Sequence, residues 1–267
     1  MQLTSLYRYP LKSGSAESLE VARCDALGLA GDRRWMAVDA KSGKFLTQRA
    51  LPHMATLHAR WVGTDGLQLC GPEMETLQVP VPSPDSNLRG VTIWRESLQA
   101  PDAGDAAADW LTRLLGQAAR LVYLPVSRGI QVDTAYAEPG NLTAFSDGFP
   151  FLLIGQASLD DLCARIGRPL DMRRFRPNLV VDGAEPYAED GWRRIRIGEM
   201  TFRVVKPCAR CAIPTIDPDT AIRSPDREPL ATLMTYRKGE GGVFFGQNLI
   251  AEGPGELSPG MPVQILD

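Results

Sequence analysis

Short runs of alternating apolar and polar residues, each ended by turn-forming residues, occupy much of the first hundred positions of this 267-residue chain. An apolar residue at every second position is the pattern of a strand with one buried face. Many short strands at this spacing favour a β-barrel or a β-sandwich. The predicted strands span residues 3–9, 35–39, 45–48, 56–62, 67–69 and 91–94, with turns at 28–32, 41–44 and 63–66.

One amphipathic helix is predicted to close this first unit. After a break at residues 101–105, apolar residues recur with helical spacing from Ala107 to Ala118, and Gly116 lies near the end. We therefore assign residues 1–118 to a first domain and residues 119–267 to a second domain.

The second domain is also predicted to consist mainly of strands. A helix is predicted from Ser158, which forms an acidic variant of a capping box with Asp161 and places Cys163 in the core. A second short helix would have Pro229 in its first position. Residues 126–142 have too little periodicity for a regular element and are predicted to form a long loop. The predicted strands span residues 120–124, 151–154, 179–182, 192–197, 201–205, 242–250 and 262–266.

The overall composition is that of an ordinary globular protein, with 44% hydrophobic and 23% charged residues. The formal net charge of -3 argues against general binding to nucleic acid or to an anionic membrane surface, because such binding needs a broad excess of Lys and Arg. No secretory signal or membrane span is visible, so we expect a cytoplasmic protein. The five cysteines do not form the pattern of a disulfide framework and suit a reducing compartment.

Cys208 and Cys211 lie three positions apart, a spacing that allows metal binding, disulfide exchange or simple packing. Pro207 is expected to stop the pairing of the preceding strand, so both cysteines should lie just past a strand end. Pro214 and the turn at residues 217–220 exclude the helix that a redox-active Cys-x-x-Cys motif uses to activate its thiol. Disulfide exchange is therefore disfavoured, while metal binding and inert packing remain open.

Arg210 precedes Cys211 and should favour its thiolate, the form that binds a soft metal. Structural zinc needs four ligands, and the chain offers no second Cys-x-x-Cys motif and only His53 and His58 as histidines. One protein thiolate is sufficient if a cofactor brings the other metal ligands itself. The pair therefore points towards a cofactor-bound metal.

The motifs around these cysteines resemble the MOSC domain. They are Cys208-Ala209-Arg210-Cys211, Asp217-Pro218-Asp219-Thr220, Phe175-Arg176-Pro177-Asn178 and Phe245-Gly246-Gln247-Asn248. The N-terminal β-barrel domain that accompanies MOSC domains is resembled by Tyr9-Pro10-Leu11-Lys12-Ser13, Gly31-Asp32-Arg33-Arg34-Trp35 and Thr47-Gln48-Arg49. The set covers nearly the whole chain and is closest to the mitochondrial amidoxime reducing component and its bacterial relatives. The resemblance implies an α+β, mainly β fold, with a β-barrel-like N-terminal domain and a MOSC β-barrel domain that has a few helices.

The resemblance also implies a pterin-based molybdenum cofactor whose metal takes one protein cysteine. By motif position the metal ligand is Cys211, and Cys208 receives no metal bond. The remaining residues expected to bind the cofactor are Lys12, Arg49, Ser146, Arg176, Asn178 and Arg210. Lys12, Arg49 and Arg176 would hold the phosphate tail, which an acidic protein must bind with a few convergent cations. Asn178 would hydrogen-bond the pterin edge, and Ser146 would supply a hydroxyl contact.

Each of these residues has a simpler interpretation. A single Arg or Lys is more often a solvated strand-edge charge than a ligand-binding group. Asp217 is a candidate for proton handling, but an aspartate in such a turn usually binds nearby backbone donors.

The activity that the resemblance implies is the reduction of N-hydroxylated small molecules. The sequence has no four-cysteine cluster and no flavin fingerprint, so we expect a separate electron-donor protein, such as a reductase acting through a ferredoxin or a haem protein. The alternatives are a non-catalytic carrier of the molybdenum cofactor or of sulfur, and a structural protein without a cofactor.

Overall fold

The structure, a computed structural model, describes residues 1–83, 85 and 87–267. These residues form three α-helices, α1 (Asp105–Leu115), α2 (Gln156–Ile166) and α3 (Leu230–Tyr236). The strands of the first half are β1 (Gln2–Arg8), β2 (Glu17–Leu19), β3 (Ala22–Asp25), β4 (Gly28–Leu29), β5 (Trp35–Asp39), β6 (His58–Trp61), β7 (Leu67–Cys70), β8 (Leu77–Val79), β9 (Leu88–Ile93) and β10 (Glu96–Pro101). Those of the second half are β11 (Ala119–Tyr123), β12 (Ile130–Gln131), β13 (Leu142–Thr143), β14 (Phe151–Gly155), β15 (Leu179–Asp182), β16 (Arg194–Ile197), β17 (Met200–Ala209), β18 (Lys238–Gly239), β19 (Gly242–Ala251), β20 (Gly255–Leu257) and β21 (Val263–Ile265).

The largest sheet of the described residues has the strand order β2-β1-β15-β14-β19-β17-β16-β21, and β18 pairs with β19. Strands β14 and β15 run parallel and are joined through α2, whereas the other pairs are antiparallel. The predicted α+β, mainly β class is confirmed. Strand β1 pairs with β15, and β11 pairs with β5, so strands from both sides of residue 118 share sheets. The division at residue 118 stays a prediction.

Strand β14 is buried along its whole length because the sheet has apolar residues on both faces. Phe151 and Leu153 belong to one hydrophobic cluster, and Leu152 and Ile154 belong to another. This alternation is the period-two geometry of a strand, and an unbroken apolar run is typical of strands buried on both faces. The second cluster includes Phe175 and lies beside the candidate site described below.

Helix α1 packs its apolar face against the small β6-β7-β8 sheet. Trp110 and Leu111 are buried with Leu67 and Leu69 in one cluster. The helix ends at Gly116, whose left-handed φ of 68° lets its N–H bond back to the carbonyl of Thr112. The predicted helix is present and begins two residues earlier than expected. None of the helices within the described ranges is long and apolar enough to cross a bilayer.

Three local predictions were wrong. Helix α2 begins at Gln156, so Ser158 lies in its first turn and its Oγ donates to Glu189 instead of capping the helix. Residues 45–48 form only an isolated bridge from Phe45 to Val38. Helix α3 begins after Pro229, which occupies the N-cap position.

Strand β17 is a fourth correction, and it affects the candidate site. The strand continues through Pro207 to Ala209, although we expected it to stop before Cys208. Irregularities in its pairing with β19 lie on both sides of Lys206 and Pro207, and β16 pairs only as far as Arg203. Proline is tolerated at a bulge and where a strand has one neighbour. Cys208 therefore lies within the strand and Cys211 just beyond it.

Candidate functional site

A cavity of about 220 Å³ lies where the C-terminal part of β17 and part of β19 meet segments from the first fifty residues. Seven of the eight residues predicted for the site line this cavity: Lys12, Arg49, Ser146, Arg176, Asn178, Arg210 and Cys211. These residues are separated by up to two hundred positions in sequence, so the fold itself brings them together.

Strand ends position these side chains. Lys12 follows β1, and its backbone N–H donates to the carbonyl of Trp35 at 2.8 Å, which fixes the segment beside β5. Ser146 lies in the loop between β13 and β14. Arg176 follows the 3-10 helix Met172–Phe175. The loops at the ends of buried strands thus converge on one point, which is where binding residues are usually found.

Arg176 has an unused hydrogen-bond donor inside the cavity wall. Its Nη1 donates to the carbonyl of Gly14 at 2.6 Å, and its guanidinium lies 4.2 Å from the centroid of the Tyr9 ring. Its Nη2 is buried and has no acceptor among the described residues. Burial, together with the nearby Arg33, lowers the pKa of Arg176 to about 10. A buried cation without a carboxylate partner favours an anionic ligand, which would supply the missing acceptor.

The guanidinium of Arg33 lies against the same Tyr9 ring as that of Arg176. It pairs with Asp32, donates from Nη2 to the carbonyl of Arg176 at 3.1 Å, and lies 4.6 Å from the Tyr9 ring centroid. The sequence motifs include Arg33 but assign it no role. The structure places it in the cavity lining, where it holds the backbone of Arg176.

Lys12 is almost fully buried, at 5% exposure. Its ammonium donates to the carbonyl of Phe145 at 2.8 Å and to Asp147 Oδ1 at 2.6 Å. Burial lowers the pKa of Lys12, and the Asp147 carboxylate offsets part of this effect. An ammonium has three donors, so one N–H of Lys12 remains for a ligand.

Arg49 is held by aromatic stacking. Its guanidinium lies 4.4 Å from the ring centroid of Trp94, which in turn contacts Phe45 at 5.0 Å. Its side chain has no hydrogen bond or ion pair among the described residues. Arg49 therefore presents a planar set of donors at the cavity, a geometry suited to phosphate oxygens.

Asn178 and Ser146 are both buried and engaged within the protein. The Asn178 amide oxygen accepts from the backbone N–H of Leu152 at 3.2 Å and from Arg33, and its nitrogen donates to the carbonyl of Tyr7 at 3.1 Å. Ser146 shares a hydrogen bond with Thr143. Asn178 thus joins the ends of three strands, and only one amide N–H is left to contact a ligand.

The two cysteines have different surroundings. The Arg210 guanidinium donates to Cys208 Sγ at 3.0 Å and to the carbonyl of Phe175 at 2.6 Å. The expectation that Arg210 acts on Cys211 was therefore wrong, because the guanidinium turns back along the strand to Cys208. The Arg210 Nε is buried without an acceptor among the described residues. Both cysteines line the cavity, and both are free thiols.

Asp217 is the one predicted site residue that the cavity lining does not include. Its Oδ2 accepts from Arg174 at 2.6 Å, and its Oδ1 accepts from the backbone N–H groups of Asp219 and Thr220. These bonds stabilise the turn, so the geometry supports the structural interpretation and gives a proton-handling role no support.

Two known protein families match this chain. The family described as "MOSC N-terminal beta barrel domain" matches residues 1–118, and the family described as "MOSC domain" matches residues 142–264. Mitochondrial amidoxime-reducing component 1 of Homo sapiens is 32% identical over 282 residues, which cover 99% of this chain and 82% of that protein. The chain belongs to the MOSC family of amidoxime-reducing components.

Two other relatives give the same result. Component 1 of Mus musculus is 34% identical over 281 residues, covering 99% of this chain and 82% of the relative. Component 2 of Rattus norvegicus is 33% identical over 280 residues, covering 98% and 82%. Similarity to this family therefore extends over both halves of the chain.

Backbone conformation gives a further signal for the site of this MOSC chain. Ser13, Arg33 and Arg176 have φ angles of 65°, 49° and 58°, in the left-handed region that non-glycine residues rarely adopt. All three line the cavity. Such conformations cluster at functional sites, where the surrounding structure holds them. Sequence patterns alone do not predict this strain.

The residues present fit the pterin-based cofactor. The unpaired donors of Arg176, Lys12 and Arg49 suit a phosphate group, and Cys211 supplies one thiol. Within residues 1–83, 85 and 87–267, no group of three or more His, Cys, Asp or Glu side chains is placed to hold a metal ion. A cofactor that brings most of its own metal ligands matches a cavity whose only soft ligands among the described residues are the thiols of Cys208 and Cys211.

Proposed function

We propose that this chain is an oxidoreductase that uses a pterin-based molybdenum cofactor to reduce N-hydroxylated compounds, such as amidoximes, hydroxylamines or hydroxylated nucleobases. The observation that carries the proposal is one cavity that contains both the Cys211 thiol and the buried, incompletely paired Arg176. A thiol suits a soft metal, and an unpaired buried cation suits a phosphate. The names of the relatives supply the substrate class.

Each cavity residue has a task in this proposal. Arg176, Arg49 and Lys12 would bind the phosphate, and Cys211 would be the metal ligand. The bound cofactor would supply the two-electron chemistry that converts an N–OH group to N–H and water. The chain would orient the substrate in the cavity. Two protons are consumed per substrate, and water that enters the open side of the cavity would supply them.

The electrons would come from a separate donor protein. Three of the five cysteines, Cys24, Cys70 and Cys163, lie outside the cavity lining, and only Cys208 and Cys211 lie within it. A one-electron carrier would therefore have to dock near the cavity to reduce the metal. A cytoplasmic location remains part of this proposal.

Metal and pterin analysis of protein made in a host that synthesises the cofactor tests the proposal. We expect about one molybdenum per chain in the unmodified protein and in Cys208→Ala, and a loss of at least tenfold in Cys211→Ala. Cys208→Ala is the matched control because it removes a thiol from the same cavity. An unmodified protein without molybdenum, or a Cys211→Ala variant that retains it fully, would refute the ligand assignment.

Oxidation of a reduced artificial dye then tests catalysis. Addition of an amidoxime should start dye oxidation and yield one amidine for every two electrons that the dye gives up. A protein that contains molybdenum and fails with amidoximes, hydroxylamines and hydroxylated nucleobases would instead be a carrier of the cofactor.

A further inference from the structure

Lys206 is a cation of the cavity lining that the phosphate site does not use. It lies on β17, two positions before Cys208, and its Cα pairs with that of Asn248 on β19. Residues two positions apart in a strand are about 7 Å apart, so Lys206 lies close to Cys208. Lys206 and Asn248 both line the cavity.

Three other cations of the cavity lining have polar contacts within the chain. Lys12 contacts Asp147, Arg33 pairs with Asp32, and Arg210 contacts Cys208. Lys206, like Arg49, has no side-chain hydrogen bond or ion pair in the described part of the chain. Its ammonium lies over the Tyr136 ring, 4.2 Å from the ring centroid.

The surroundings of Lys206 form a small subsite. Tyr136 is 37% exposed and lies beside the cavity, because its ring contacts Phe149 of the cavity lining with centroids 6.0 Å apart. The Asn248 amide nitrogen donates to the carbonyl of Lys206 at 3.2 Å and fixes this part of the strand. The subsite thus combines one ammonium, which keeps its N–H donors available, with an aromatic surface.

We propose that Lys206 is a specificity-determining residue that selects N-hydroxylated substrates carrying a carboxylate on an aromatic ring. The inference rests on the proposed function and names the substrate class of that same cavity. The ring of the substrate would pack near Phe149 and Tyr136, and its carboxylate would accept from the ammonium. Lysine suits this task because its ammonium on a flexible stem can follow an anion among several positions.

Two matched substrates test the proposal with the holoenzyme and a reduced dye. The ratio of kcat/KM for 4-carboxybenzamidoxime to that for benzamidoxime should be about ten in the unmodified protein, the effect of one charge-assisted hydrogen bond. The ratio should fall to about one in Lys206→Met and should be largely restored in Lys206→Arg. Lys238→Met, which removes an exposed lysine outside the cavity, should leave the ratio near ten.

Two readouts do not depend on turnover. Molybdenum content should be the same in Lys206→Met and in the unmodified protein, and a large loss would show that Lys206 holds the cofactor instead. Equilibrium binding should favour 4-carboxybenzamidine, the amidine product, over benzamidine by about tenfold only when residue 206 is cationic. Equal binding of the two amidines would overturn the inference even if both amidoximes were reduced. Preference for the carboxylated amidine without reduction of either amidoxime would leave the subsite standing and refute the proposed activity.

Discussion

Replacing Arg176 by Met should leave the cofactor-free fold almost equally stable and should remove most of its response to phosphate. The lowering of the pKa of Arg176 to about 10 corresponds to about 3 kcal/mol of unfavourable burial and repulsion from Arg33, at 1.36 kcal/mol per pH unit. Part of the side chain still reaches solvent through the cavity, so the effective cost is about 1–3 kcal/mol.

The contacts of Arg176 offset this cost. The hydrogen bond to the Gly14 carbonyl is worth about 1–2 kcal/mol, and the contact with the Tyr9 ring is worth about 1 kcal/mol. The cost of burying Arg176 and the gain from its contacts nearly cancel. Arg176→Met, which keeps a long side chain in the wall, should therefore change the free energy of unfolding by no more than about 1 kcal/mol.

A bound anion changes this balance. At a phosphate concentration of ten times the Kd, mass action stabilises the unmodified protein by about 1.4 kcal/mol. Loss of a charge-assisted hydrogen bond in the cavity weakens binding by about ten- to a hundredfold. At the same phosphate concentration, the stabilisation of Arg176→Met should then fall to about 0.4 kcal/mol or less.

Urea unfolding of cofactor-free protein, with and without inorganic phosphate at constant ionic strength, measures both quantities. Arg173→Met is the control, because Arg173 pairs with Asp171 and Asp219 and does not line the cavity. It should keep the phosphate response. A loss of more than about 3 kcal/mol in Arg176→Met without phosphate would show a structural role. An unchanged phosphate response would refute the assignment of Arg176 to the anion site.

Two further predictions concern the fold. Burial alone would raise the pKa of Asp102, but hydrogen bonds from Arg120 and a second arginine outweigh it and lower the pKa. Asp102→Asn should therefore cost about 1–3 kcal/mol at pH 7 by urea unfolding. The difference should shrink as pH falls below about 4, where the carboxylate is protonated in the unfolded chain first, and should disappear below the lowered pKa of the folded state. In Gly246→Ala, the added Cβ would lie 2.7 Å from Ile154 Cγ1 at a φ of 78°, so thermal unfolding should show a loss of about 2–4 kcal/mol. Gly241→Ala, with a φ of 86° and no atom nearby, should lose only about 1 kcal/mol; equal losses would contradict the steric argument.

The strands with clear alternation could be predicted from the sequence, and the irregular ones could not. The strand over residues 35–39 was predicted with its observed bounds because turn residues end it on both sides. Strand β17 was predicted to end too early, since a proline in a ladder is tolerated only where a bulge or a missing neighbour removes the need for its N–H. Both conditions depend on distant strands.

The residues of the site could be predicted better than their contacts. Motif positions correctly grouped Lys12, Arg49, Arg176 and Cys211 around one cavity. The side-chain direction of Arg210, towards Cys208, could not be predicted. Adjacent residues such as Arg210 and Cys211 point to different sides of the chain near a strand end. Lys206 was missed because a lone lysine in a strand has no distinguishing pattern.

Arg33 and Arg176 give an acidic chain a local positive charge that suits an anionic ligand. Arg33 and Arg176 both lie against the Tyr9 ring, and each has a left-handed backbone conformation. Two like charges so close together disfavour folding. Each strained backbone conformation disfavours it further, by about 1–3 kcal/mol. The chain keeps them because hydrogen bonds on both sides fix the backbone of Arg33, which donates to the Tyr9 carbonyl at 2.7 Å and accepts from Phe145 at 3.0 Å. The cavity is therefore preorganised, so an anion that binds there gains its charge-assisted bonds without the further cost of ordering these side chains.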